Sequence, residues 1–196
     1  MLLRNYDNIV AAYSLVSTGS GYEGDTTTFG DSHLNAKTIE AYLREISLTG
    51  GYLPMKSLYA STASQQTGTS WIRLGSGTTP VTYDDYKLEN ELSTSQIAVN
   101  SASALVGAAV YDEQTKTWTR TTSYDFQAKS DITVSEIGVV YHLPCRYAYE
   151  YCLVYREVLD TPVSLTTGQY LKVSITTTVS ANPNKPADVS ATVETV

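Results

Sequence analysis

Histidine, cysteine and clustered positive charge are scarce in this sequence. The 196 residues include only 2 His and 2 Cys, and 13 Lys and Arg stand against 20 Asp and Glu, which gives a formal net charge of -7. Nonspecific nucleic-acid binding depends on clustered Lys and Arg that neutralise phosphates. Because the chain has no such cluster, its composition argues against a protein that coats DNA, and its moderate acidity favours solubility.

Long apolar runs are also missing. No run approaches the roughly 18 apolar residues of a membrane span, and the first residues lack the basic segment and apolar core of a secretion signal. We therefore expect a protein that is made and used without crossing a membrane. In a reducing compartment, Cys145 and Cys152 are expected to be free thiols rather than a disulfide.

The residue types that are abundant, Ser, Thr and Tyr, are typical of β-strands. Ser and Thr replace much of the usual charge, and 16 Tyr outnumber 2 Phe and 2 Trp; such residues suit half-exposed sheet faces. Strand-like runs recur with turn residues between them, which indicates one sandwich or barrel. The sequence therefore predicts a mainly β fold, an antiparallel β-sandwich of jelly-roll type with one or two short helices in the N-terminal half. The expected strands of the C-terminal part span residues 96–100, 105–111, 117–126, 132–143, 150–159 and 170–179.

The ends of the chain suggest a division into three parts. We predict an N-terminal arm over residues 1–30 and a single sandwich domain over residues 31–180. Apolar residues at helical spacing predict a helix near 33–48 that ends at Gly50 and Gly51, and residues 84–92 predict two further helical turns. Residues 181–196 contain Pro and few large apolar side chains, so we expect a tail that extends away from the domain.

Catalytic constellations are weak. Nucleophilic catalysis needs a base beside a Ser, Cys or Thr, and only His33 and His142 are available, with no Gly-x-Ser-x-Gly elbow. Residues 75–80 lack the Lys of a phosphate-binding loop and predict a structural turn. Neighbouring acids are interpreted as solvated or capping groups rather than as a glycosidase pair: Asp84 with Asp85, Glu89 with Glu91, and Asp112 with Glu113. We expect no enzymatic activity.

A zinc site is the remaining chemical alternative. His142, Cys145 and Cys152 are possible ligands, yet a zinc site takes three or four ligands at recognisable spacing, and only one pair here is close. We expect buried thiols and an imidazole at a strand end, with no metal and no cofactor.

Glu136 and Arg156 each interrupt a run of strand-forming residues. Along residues 132–141 the apolar positions change from one face to the other near Glu136, which a β-bulge or a strand covered on both faces would explain. A half-buried charge without a partner is costly. The hypothesis is that Glu136 and Arg156 form a cross-strand ion pair that fixes register, so that replacing both is milder than replacing either alone.

Two groups of tyrosines have alternative interpretations. As ordinary sheet residues they would pack across strands, and as exposed residues they would form a subunit interface or a ligand surface, because Tyr combines a large area with one polar tip. The groups are Tyr83 with Tyr86, and Tyr147 with Tyr149 and Tyr151.

The order of segments over residues 71–180 resembles small structural proteins of tailed-bacteriophage particles, of the head, collar or tail accessory type. The resemblance rests on a Trp-bearing strand, the Gly-Ser-Gly-Thr-Thr-Pro turn at 75–80, an acidic segment at 84–91, Thr-rich strands and a Ser-Glu-Ile-Gly strand at 135–138. A strand through Arg156, a turn at Pro162, Gly168 and a closing Thr/Ile/Val strand complete the order.

The resemblance implies assembly rather than chemistry. The expected function is a non-enzymatic virion component, assembled in the host bacterial cytoplasm, that self-associates and docks on a capsid, portal, collar or tail protein. It implies neither nucleic-acid nor membrane binding, and the arm and the tail are the expected docking segments. The alternative is a module of the particle that binds a host-surface glycan or protein.

Overall fold

The computed structural model describes residues 1–7, 24–29, 37–42, 70–144, 149–180 and 187–196. Ten strands lie in these ranges: β1 (Gly24–Phe29), β2 (Lys37–Tyr42), β3 (Ser70–Gly75), β4 (Ile97–Val106), β5 (Val110–Asp112), β6 (Thr117–Ala128), β7 (Ile132–Pro144), β8 (Tyr149–Leu165), β9 (Tyr170–Ser180) and β10 (Asp188–Thr195).

The strands form two stacked sheets and a separate hairpin. One sheet has the order β10-β9-β6-β4, with β5 also paired to β6, and the other has the order β3-β7-β8. The hairpin consists of β1 and β2. Every strand pairing is antiparallel. The predicted antiparallel β-sandwich is therefore confirmed.

The main core lies between the two sheets. Strands β6 and β9 alternate buried and less buried residues, as expected for a sheet with one face on a core. Burying one aliphatic side chain contributes about 1.5–3 kcal/mol, so each large apolar residue of this layer stabilises the sandwich. The buried residues of the five-stranded sheet include Ile97, Tyr124, Phe126, Leu171, Val173, Ile175 and Val189, and they meet Ile72, Leu74, Val134, Ile137, Val139 and Val154 of the other sheet.

Strand β7 is covered on both faces. From Val134 to Val140 every residue is buried, and the pairing with β8 shifts register between Val134 and Glu136. Ile137 and Val139 face the main core, whereas Val140 belongs to a small second cluster with Leu3, Leu88 and Leu153. Both explanations offered for the change of face near Glu136, a bulge and two-sided burial, are thus present.

The segments predicted as helices, near 33–48 and over 84–92, are wrong where the structure describes them, and the described N-terminal residues instead contain one short helical turn, residues 4–7. Residues 37–42 form β2, and its Thr38 and Ile39 pair with the Thr-rich strand β1, because β-branched residues favour strands over helices. Residues 84–92 are turns and a bridge to β3, because the Glu89 and Asn90 N–H groups bond to the Glu136 carboxylate and the Leu92 N–H bonds to the Leu74 carbonyl of β3 instead of continuing a helix. No helix in the described ranges is long and apolar enough to cross a membrane.

The predictions of an N-terminal arm over residues 1–30 and of an extended tail over residues 181–196 are also wrong where the structure describes these residues. Leu3 is fully buried, and residues 1–3 hydrogen-bond to the edge of β8. Residues 188–195 form β10 on the edge of β9, because Val189, Ala191 and Val193 alternate with polar residues and pack against the core. Neither segment extends from the domain, although the intervening parts, residues 8–23 and 181–186, lie outside the described residues.

Strand β8 does not turn at Pro162 as expected but continues to Leu165. Between Val158, which faces Glu136, and Val163, which faces Val134, four residues of β8 lie opposite Ser135 alone. Pro162 sits in this irregular stretch, where its missing N–H interrupts no regular ladder.

Two buried tyrosines differ in whether their hydroxyl group has a hydrogen-bond partner. Burial raises the pKa of Tyr124 to about 12, and its hydroxyl has no hydrogen-bond partner among the described residues, whereas the Tyr155 hydroxyl donates to Glu157. We expect Tyr124→Phe to leave the free energy of unfolding unchanged or to raise it by up to about 1 kcal/mol, and Tyr155→Phe to lower it by about 1.5–3 kcal/mol. Urea unfolding of both variants measures the difference; an equal loss in both would show that the Tyr124 hydroxyl is satisfied.

Candidate functional site

A buried carboxylate organises the loop of residues 75–92, which we call the 75–92 loop. Glu136 of β7 is fully buried. Its Oε1 accepts hydrogen bonds from the backbone N–H of Gly77 at 3.0 Å and of Asn90 at 2.9 Å. Its Oε2 accepts from the N–H of Glu89 at 3.1 Å and from Arg156 Nε at 2.8 Å. One side chain therefore joins both ends of the loop to β7.

Arg156 of β8 joins this carboxylate to the middle of the loop. Its Nη1 donates to Asp85 Oδ2 at 2.7 Å, and its Nη2 lies 3.8 Å from Glu89 Oε2. Only 3% of the Arg156 side chain is exposed, against 20% of Asp85 and 42% of Glu89, so its contact with the fully buried Glu136 is the one that solvent screens least. Asp85, Glu89, Glu136 and Arg156 form what we call the charge cluster.

The charge cluster contains three carboxylates and one guanidinium, and backbone N–H groups supply the remaining positive partners. Glu89 Oε2 accepts from the N–H of Thr78 at 2.7 Å and of Thr79 at 2.8 Å. Thr82 donates to Asp85 through its N–H at 3.1 Å and its hydroxyl at 2.6 Å. Hydrogen bonds to ionised carboxylates are stronger than neutral ones, so these contacts define the path of the loop.

Three glycines permit the close approach. A Cβ atom at Gly75 would lie 2.4 Å from Glu136 Oε1 and 2.8 Å from the Asn90 carbonyl oxygen, and one at Gly77 would lie 2.5 Å from Glu136 Oε1. At Gly138 a Cβ would lie 2.9 Å from Leu88 Cδ2. Leu88 therefore packs directly on β7, beside the carboxylate that bonds the loop.

The surroundings of Asp85, Glu89 and Arg156 favour their ionised forms. Burial alone would raise the pKa of Asp85, but hydrogen bonds from Thr82 and Arg156 outweigh it and lower that pKa below its ordinary value. Hydrogen bonds from Thr79 and Thr78 lower the pKa of Glu89. Burial alone would lower the pKa of Arg156, yet its bonds to Asp85 and Glu136 raise it.

The lowered pKa of Asp85 predicts loss of stability in acid. A carboxyl group whose pKa is lower in the folded state contributes stability above its unfolded pKa, about 3.9, and that stability is lost as the pH falls through the folded-state value. We expect Asp85→Asn to be less stable than the parent at pH 6 and to lose less stability between pH 6 and pH 3. Urea unfolding at both pH values tests this, with Asp160→Asn, an exposed β8 carboxylate, as control. A parent and an Asp85→Asn variant with equal pH dependence would contradict it.

The two residues predicted as an ion pair are in contact. Glu136 and Arg156 are not directly opposite, because Arg156 faces Gly138 and Glu136 faces Val158, so the bond runs diagonally across β7 and β8. Whether the pair fixes the register stays a prediction.

The predicted tyrosine groups lie in two places. Tyr83 and Tyr86 are in the 75–92 loop; the Tyr83 hydroxyl donates to Asp7 at 2.6 Å and its ring lies 5.3 Å from the Arg4 guanidinium, so it contacts the N-terminal residues. Tyr149 and Tyr151 begin β8, and Tyr147 lies outside the described residues.

The residues of the alternative chemical sites are described only in part, and His142 lies in β7. His33 and Cys145 lie outside the described residues, and Cys152 is buried in β8. Within the described ranges, no group of three or more His, Cys, Asp or Glu side chains could hold a metal ion.

Sequence reasoning missed Asp85 and Glu89 as partners of Arg156, because it treated the acidic segment as solvated or capping. The one available signal was that Gly and acidic residues in 75–91 and the strand residue Arg156 are of types that can form a polar cluster. Sequence spacing alone does not bring residues 67 to 71 positions apart together.

Comparison of the chain with protein-family models, with curated proteins and with solved structures finds no match.

Proposed function

We propose that this protein is a non-enzymatic structural component of a tailed-phage virion, which self-associates and docks on a capsid, portal, collar or tail protein. The proposal places it in the particle after assembly in the host bacterial cytoplasm. The proposal rests on the order of segments along the chain, which resembles the order in virion accessory proteins.

One observation carries the proposal beyond the resemblance. The segments that define the resemblance, the turn at 75–80, the acidic segment at 84–91, the Ser-Glu-Ile-Gly strand and the strand through Arg156, meet in the charge cluster. Their polar groups bond to one another, and they fix a loop rather than surround a reactive group. A loop held in one shape by these bonds supports a role in assembly, where a docking surface needs a constant shape.

Quantitative mass spectrometry of purified particles tests the proposal. We expect the protein to remain with particles through a density gradient at a fixed ratio to the major coat protein. A ratio near that of the coat protein would indicate a decoration or head-fibre role, and a low ratio a collar or tail role. Its absence from clean particles would refute the virion assignment.

The second candidate is a module that binds a host-surface glycan or protein. The observation that favours it is Tyr83, which is 43% exposed while Asp7 and Arg4 contact it. A rigid, half-exposed aromatic ring is a surface on which a sugar ring can stack. If this candidate is correct, we expect Tyr83→Ala to abolish binding to host cells. If the protein is only a structural subunit, the variant should be incorporated into particles as well as the parent is.

A further inference from the structure

At three of the four edges of the two stacked sheets, other parts of the chain occupy some of the outward backbone groups. On β3, Gly75 forms a bridge with Glu91, and the Leu92 N–H donates to the Leu74 carbonyl at 2.9 Å. On β8, the Leu3 N–H donates to the Val154 carbonyl at 3.0 Å. Such coverage prevents exposed strand edges from pairing with other chains.

The third edge is blocked by a side chain. On β10, the outward N–H of Ala191 donates to Glu157 Oε2 at 3.2 Å, and Glu157 comes from β8 of the other sheet. A carboxylate held against an edge strand occupies a donor that an incoming strand would need.

The fourth edge consists of β4 and β5, which follow one another along β6. No strand in the described part of the chain pairs with its outer side. Val99, Leu105 and Val110 along it are 50%, 66% and 64% exposed. The sequence from Leu92 to Tyr111 contains no charged residue and no proline, so it lacks two usual devices that protect edge strands.

We propose that the β4–β5 edge pairs with the same edge of a second copy of this chain, antiparallel and across a two-fold axis. The inference rests on the proposed self-association and names its surface. Charge favours this occupant: a chain of net charge -7 repels its own copies, and β4 is where two copies meet without placing like charges opposite each other, because the charges of this edge, Asp112 of β5 and Arg120 at Gly107, lie beyond it. A two-fold axis needs one self-complementary surface, and this edge supplies it.

The backbone at Val99 is oriented for such pairing. The Lys129 N–H donates to the Gln96 carbonyl at 2.8 Å, and the Ala128 N–H donates to Gln169 of the opposite neighbour at 2.9 Å. Since hydrogen-bonded and non-hydrogen-bonded pairs alternate in an antiparallel ladder, Val99, opposite Phe126, directs its N–H and carbonyl away from β6. The pairing of β4 with β6 shifts register between Asn100 and Leu105, so the regular part of the edge is residues 97–100.

The oligomeric state of the full chain tests the proposal. Sedimentation equilibrium is expected to show a concentration-dependent dimer for the parent. Val99→Lys and Leu105→Lys each place like charges at the contact and are expected to raise the dimer dissociation constant by roughly 100-fold or more. Val99→Pro removes an outward N–H that the β4–β6 ladder does not use, and it is expected to weaken the dimer with little change in folding.

Thr192→Lys is the matched control, an exposed position on β10 whose edge Glu157 occupies. It is expected to dimerise like the parent, and far-ultraviolet circular dichroism checks that all variants fold. A dimer that persists in all three edge variants would overturn this edge as the interface while leaving self-association intact. A monomeric parent at high concentration would overturn pairing between copies, and incorporation of the edge variants into particles would still report separately on the virion role.

Discussion

Replacing Arg156 with Met is expected to lower the free energy of unfolding by about 3–5 kcal/mol. The change leaves the fully buried Glu136 carboxylate without its only cationic partner among the described residues. It also removes the donor to Asp85 in the middle of the 75–92 loop. Urea unfolding followed by tryptophan fluorescence measures the loss.

Arg73→Met is the matched control. Arg73 bonds Glu91 at 3.0 Å, but both side chains are a quarter to a third exposed, so the expected loss is at most about 1 kcal/mol. An equal fall in the free energy of unfolding in Arg156→Met and Arg73→Met would contradict the claim that burial of the charge cluster makes the loss of Arg156 more costly.

The double variant Glu136→Gln with Arg156→Met separates pairing from loop anchoring. From the sequence, replacing both residues should be milder than replacing either alone. The structure changes this expectation, because Glu136 also accepts three backbone N–H groups that do not depend on Arg156. We now expect the double variant to lose about 1–3 kcal/mol less than the sum of the single losses, and strict additivity would exclude a coupled pair.

The C-terminal strands could be predicted because their signals are local. The alternation of Leu171, Val173 and Ile175 with polar residues defines β9, and the change of face near Glu136 marks the bulge in β7. These patterns depend on which side of one strand meets the core, and the sequence contains that information directly.

The parts that could not be predicted depend on distant partners. β10 has only small and branched apolar residues, and it becomes a strand because the edge of β9 is available for pairing. Residues 84–92 have helical spacing, but the Glu136 carboxylate of β7 takes the Glu89 and Asn90 N–H groups, and the Leu74 carbonyl takes that of Leu92. The polar partners of Arg156 likewise come from a loop that packs on the far face of β7, a contact that periodicity does not encode.

Replacing Gly77 with Ala is expected to lower the free energy of unfolding by about 2–3 kcal/mol and to release the 75–92 loop. The new Cβ would lie 2.5 Å from both Glu136 Oε1 and Glu89 Cβ, so the turn must move away from the carboxylate that bonds it. Hydrogen exchange should then quicken at the Glu89 and Asn90 amides, which donate to the same carboxylate. Thr78→Ala is the control, because Thr78 is an exposed residue of the same turn and the substitution keeps its backbone N–H bond to Glu89 without adding volume near Glu136. Exchange at these two amides that stays as slow in Gly77→Ala as in Thr78→Ala would mean that the loop is held by Leu88 packing rather than by Glu136.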